Sequence, residues 1–220
     1  ITFEDTLSLA EKWFGPIPRR NVTPRNLPKE PRQTAERRLI VSRKVPVDAL
    51  YMVFHKCNRL HADYHTFDML SDLLSSGRSS RFIQHLVVKK QIFSSIDAYI
   101  SGSIDDGMFH IAGKPAPGIS LEEAEAAVWH ELEALKTEDI NPIELEKVKN
   151  RYESEQIFSN LNYLNVATNL AFFELLGGAE DINHEVEKYR SVNAEQIKRV
   201  AREAFVHENC SVLYYQAIKS

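Results

Sequence analysis

Only two cysteines occur in the 220 residues, Cys57 and Cys210. Two thiols cannot build a disulfide framework, and neither sits in a C-x-x-C pair, which leans towards a reducing compartment. The cytoplasm is the expected location, with the periplasm as the alternative. Positive charge is in no surplus. Lys plus Arg number 27 against 31 Asp plus Glu, a net charge of -4, so nucleic acid is not an expected partner. No run of like charge forms a tail. The apolar stretches are too short to span a bilayer. No secretory signal stands at the start, where residue 1 reads as a cut point in a longer chain.

Two catalytic signatures are missing as well. H-x-x-E-H, the inverted zinc motif, does not occur. A zinc peptidase needs two neutral imidazoles and a carboxylate around the metal, and a further carboxylate to take a proton from the bound water. His130-Glu131 comes nearest on a helical stretch, but Leu132-Glu133-Ala134 follows in place of a second histidine. His61 and His65 are four apart, yet no glutamate stands between them as a base. His61 also precedes the helix start at Asp63-Tyr64, so the pair does not share a helical face. A metal site built from His55, Cys57 and His61 is the remaining metal reading. The G-x-S-x-G elbow of serine hydrolases is also lacking. Gly77-Arg78-Ser79-Ser80-Arg81 comes nearest, without the second glycine and without a base close in sequence.

What is present is an ordinary folding sequence. Hydrophobic residues make up 43% and charged residues 26%, enough apolar content for one real core. Thr2, answered by Asp5, caps a first helix with Leu7, Ala10, Trp13 and Phe14 on one face; Gly15, Pro16 and Pro18 stop it. Pro24, Pro28 and Pro31 mark a charged linker over 19–36. Strands are expected at Arg38–Val45 and Ala49–Lys56, then helices at Tyr64–Ser75 and Ser80–Lys89. Ile96–Ile104 and Met108–Lys114 read as a hairpin turned by Asp106-Gly107. Ser120 and Glu123 form a capping-box pattern for a helix to about Thr137, and Asn141-Pro142 opens the next. That pattern breaks near Asn160–Asn165 and stops at Gly177-Gly178. Phe172, Phe173, Leu175 and Leu176 read as core. Helices near Ile182–Arg190 and Ala194–Val206 and a strand at Cys210–Gln216 complete the chain. The order implies an α+β fold, a mainly antiparallel sheet covered on one face by helices.

Several segments together resemble the pitrilysin/insulinase family of zinc peptidases. Ala10-Glu11-Lys12-Trp13-Phe14-Gly15-Pro16-Ile17-Pro18 is similar to that family's "LAEKYFGPIP", which closes a first structural half. Asp63-Tyr64 through Leu70, Leu74, and Gly77 through Phe82 resemble "DYxALDxLxxLLGxGxSSRLY". Leu86 through Ile92 resembles "LVxEKQLA", and Ser191 through Ile197 resembles "SVTAEDV". The matches keep the family's order along the chain.

The resemblance implies one half of a clam-like metallopeptidase. Residues 1–18 would be the tail of the first half, 19–36 the linker and 37–220 the second, non-zinc-binding half. Zinc would belong to the intact protein, held by the H-x-x-E-H half on the same chain or on a separate subunit. That half would activate the zinc-bound water, while this one encloses and positions peptide substrate and is inactive alone. The turn Gly77, Arg78, Ser79, Ser80 and Arg81 matches the family's glycine-bearing loop and is the expected substrate contact. The arginine and tyrosine that assist the reaction in some members fall on Val87 and Ser94 here, so no catalytic residue and no metal ligand are assigned. Their loss also fits an alternative, a non-catalytic partner or assembly subunit of the same family. A second copy of the chain is a further candidate partner.

Overall fold

The computed structural model describes residues 1–21, 26, 28, 30–102 and 104–218. Pro24 of the expected linker lies outside the described residues. So do Ser103, in the expected strand Ile96–Ile104, and residues 219–220 at the end of the expected second half. The chain falls into two compact units, Ile1–Arg32 and Gln33–Ser220.

The first unit carries α1 (Phe3–Phe14), opened by the Thr2–Asp5 capping box. The Asp5 amide donates to Thr2 Oγ1 at 3.1 Å and the Thr2 amide to Asp5 Oδ2 at 3.2 Å, satisfying two helix-end donors at once. None of its residues is buried.

The second unit is built on five strands: β1 (Arg37–Arg43), β2 (Ala49–Lys56), β3 (Phe93–Ile100), β4 (Gly107–Pro115) and β5 (Cys210–Ala217). They lie in the order β1-β5-β2-β4-β3. Only β1 and β5 run parallel; the other three pairings are antiparallel. Alternation sets the buried face. Leu50, Met52 and Phe54 of β2 are fully buried, as are Phe109 and Ile111 of β4, while Tyr51, Val53, Met108 and His110 between and beside them are more open. Gly113 of β4 passes so close to Phe93 that an added Cβ would lie 2.5 Å from the ring. The expected α+β architecture is therefore present.

Helices cover the buried face. These are α2 (Tyr64–Ser75), α3 (Leu121–Thr137), α4 (Pro142–Ser159), α6 (Glu185–Ser191) and α7 (Ala194–Ala204); α5 (Tyr163–Leu176), between α4 and α6, stands outside this core. Leu70, Leu73 and Leu74 of α2 meet Val128, Leu132 and Leu135 of α3 and Ile197, Val200 and Ala201 of α7 in one core. Their i, i+3, i+4 spacing is the reason each helix presents one apolar stripe. Among the described residues, no helix is long and apolar enough to cross a membrane.

Four expectations are corrected. The helix expected at Ser80–Lys89 is a π-helix over Ile83–Lys89, with the Lys90 amide bonding back to the His85 carbonyl at 3.0 Å. The β3–β4 hairpin does not turn on a two-residue Asp-Gly: β3 stops at Ile100 and Gly107 is already in β4. Near Ile182–Arg190, a 3-10 turn over Ala179–His184 precedes α6. Of the aromatic and leucine group on α5 only Phe173 is buried, and Leu175 is 77% exposed. Apolar composition predicts core only where another element is present to pack on it.

Candidate functional site

The turn after α2 is shaped by Gly77. Its φ of 81° lies in the left-handed region, which glycine enters without a Cβ clash. The Ser80 amide and hydroxyl both donate to the Gly77 carbonyl, at 3.1 and 2.7 Å. Ser80 is buried, so its hydroxyl is a brace for the turn. Ser79 is exposed and accepts from Lys147 Nζ of α4 at 2.7 Å. Arg81 reaches α4 as well, donating through Nε and Nη2 to the two oxygens of Glu144, both at 2.9 Å. Arg78 is exposed, and its carbonyl accepts from Gln84 Nε2 at 2.6 Å. Its guanidinium has no partner among the described residues.

Sequence reasoning brought the five residues together correctly as one turn, but gave Arg78 and Arg81 the same task. The structure separates them: Arg81 is committed to Glu144, whereas Arg78 faces solvent. The partners Glu144 and Lys147 lie more than sixty residues away, with no local signal linking them to the turn.

A second cluster lies at the start of α2, around a cavity of about 270 Å³ whose lining includes Arg59, His61, His65, Phe173, Glu185 and Lys188. Glu185 accepts from Arg59 Nη2 and pairs with His65 Nε2 at 3.1 Å through the same oxygen. Burial alone would raise its pKa; the bonds to His65 and Arg59 outweigh that and hold it at about 2. Arg59 Nη1 is buried without a hydrogen-bond partner among the described residues. The guanidinium lies 4.2 Å from the Tyr64 ring centre and 6.0 Å from that of Phe173, contacts that partly compensate a desolvated cation. Tyr189 stacks on Tyr152 at 3.5 Å and donates to Asp68. The cluster ties α2, α4 and α6 together; the sequence singled out its His61 and His65 as a histidine pair and its Phe173 as core, and gave no sign of Arg59 or Glu185.

The other sequence candidates are dispersed or already engaged. His61 Nδ1 accepts from the Asp63 amide at 3.1 Å, His55 lies in β2 opposite Met108, and Cys57 follows that strand. Glu131 of α3 meets His85 Nδ1 at 2.6 Å and Lys90 Nζ at 3.1 Å. Val87 sits in the π-helix, and Ser94 Oγ donates to the Lys114 carbonyl. Among the described residues, no three or more His, Cys, Asp or Glu side chains are grouped to hold a metal. The donors present do not fit a zinc ion, so no step of chemistry is routed through one in this chain.

Comparison with known proteins agrees with this picture. The chain is 23% identical over 210 residues to the zinc protease PqqE of Helicobacter pylori, covering 93% of this chain and 47% of that protein. It thus spans about half the length of the curated relative. Its fold matches a crystal structure of a protease from Helicobacter pylori at a TM-score of 0.88 and 23% identity, over 98% of this chain and 53% of that one. A peptidase M16 inactive domain from Pseudomonas fluorescens matches at 0.81 and 14%, over 100% and 52%. With a helix-backed sheet, no grouped metal ligands among the described residues, and a match over residues 1–152 to the family described as the Peptidase M16 inactive domain, the chain belongs to that family.

Proposed function

We propose that the chain is the peptide-holding half of a two-part zinc endopeptidase. Bond cleavage belongs to a second, zinc-binding half, on the same polypeptide or a separate one. This half forms part of the wall around an unfolded peptide and steadies it. The observation that carries the reading is the state of Arg78. It is an exposed guanidinium without a partner among the described residues, on a turn whose flanking Ser79 and Arg81 are tied to α4. Such a group is placed to meet a peptide carbonyl or carboxylate, and its fixed base reduces the entropy lost on binding.

The test is steady-state kinetics of the intact two-part protein on an unstructured peptide. Arg78→Ala is expected to raise KM several-fold with kcat nearly unchanged, the pattern of lost uniform binding. An unchanged KM would remove Arg78 from the substrate path. The second reading, a non-catalytic partner subunit, is supported by Val87 and Ser94 standing where some relatives carry an assisting arginine and tyrosine. It predicts that the intact assembly does not cleave peptide at all.

A further inference from the structure

Helix α5 is poor in charge and rich in large apolar side chains, and yet lies open. Glu174 is the only charged residue of its fourteen, and Phe173 is its one buried residue. The large apolar side chains of a helix ordinarily face a packing partner. Here Tyr163 is 90% and Leu164 73% exposed. The turn before it and the end of α4 continue the same surface, with Leu161 75% and Phe158 71% exposed and Ile157 also open. Leu170 is open as well, and Leu175 is 77% exposed. Large apolar side chains gathered in the open along one segment mark an interaction surface.

The occupant follows from what accompanies this half in its relatives. The chain covers 47% of the Helicobacter pylori zinc protease and 53% of the matching crystal structure, so about as much polypeptide again belongs to each of those proteins. An apolar segment whose single charge is Glu174 also suits a permanent partner better than a peptide in transit, whose contacts must release. We propose that the apolar face formed by the end of α4 and by α5, residues 157–175, is the surface on which the zinc-binding half docks. This inference rests on the two-part reading above.

The test uses the intact two-part protein with Leu161→benzoylphenylalanine or Tyr163→benzoylphenylalanine, irradiated and mapped by mass spectrometry. Both positions are expected to cross-link to the zinc-binding half. In parallel, Leu164→Glu is expected to lower the Tm of the intact protein by several degrees and to leave that of the 220-residue chain alone unchanged, because the side chain is already in solvent there. Links to a second copy, to residues 1–32 or to an added unfolded peptide would overturn the proposal. So would an absence of links, or an unchanged Tm of the intact protein. If that protein still binds zinc and cleaves peptide, only the docking surface is lost. If no zinc-binding half accompanies the chain, the two-part reading fails first.

Discussion

Arg81 grips Glu144 through two parallel N–H···O bonds of 2.9 Å, joining the turn after α2 to the first turn of α4 across 63 residues of chain. Both side chains are largely shielded, at 11% and 17% exposure. The pair therefore sets the position of the turn more than it adds to a solvated surface.

Removing one partner strands the other in a partly desolvated site. Arg81→Ala is expected to cost about 2–4 kcal/mol of unfolding free energy, read by urea denaturation. Arg81→Lys keeps the charge but loses the fork, and should recover only part of that loss. A cost below about 0.5 kcal/mol for Arg81→Ala would show the pair to be an ordinary surface contact.

Glu185 gives a larger effect with a defined pH window. The bonds from His65 and Arg59 hold its carboxyl at about 2, below its ordinary value of 4.5. Its contribution is thus fully present above about pH 4.5 and is lost as pH falls towards 2. Glu185→Gln leaves the buried Arg59 without its counter-charge and should cost about 3–5 kcal/mol at neutral pH. The gap between variant and wild type should close on acidification through that window. A gap constant from pH 7 to 3 would remove Glu185 as its source.

Asp72 has the opposite sign. Burial, with the charge of Asp68 adding to it, pushes its carboxyl from 3.8 up to about 6. Between those values the folded chain binds more protons than the unfolded one, so stability falls as pH rises through the window. Asp72→Asn should flatten that slope and stabilise the chain at pH 7 by about 1–3 kcal/mol. Equal slopes for variant and wild type across pH 4–6 would contradict this.

The sequence was legible wherever the signal was local. Alternation placed β2 at Ala49–Lys56, and an apolar stripe placed α2 at Tyr64–Ser75, both at their observed bounds. Asn141 marked its helix start because a short polar side chain bonds an amide within the next few residues. The π-helix escaped because an extra residue in one turn leaves the apolar spacing nearly unchanged. The exposure of α5 escaped because composition records affinity for a core and not the presence of a covering element. Within the candidate site, Gly77 and its serines announced a turn. The division of labour between Arg78 and Arg81 depended on Glu144, and the Arg59–Glu185 contact spans 126 residues; no spacing rule reaches that far.

The most direct test of the central claim is metal content measured with peptide cleavage, on the 220-residue chain alone and on the intact two-part protein. The account predicts no stoichiometric zinc and no cleavage for the chain alone, and both for the intact protein. One equivalent of tightly held zinc on the isolated chain, together with cleavage, would contradict it.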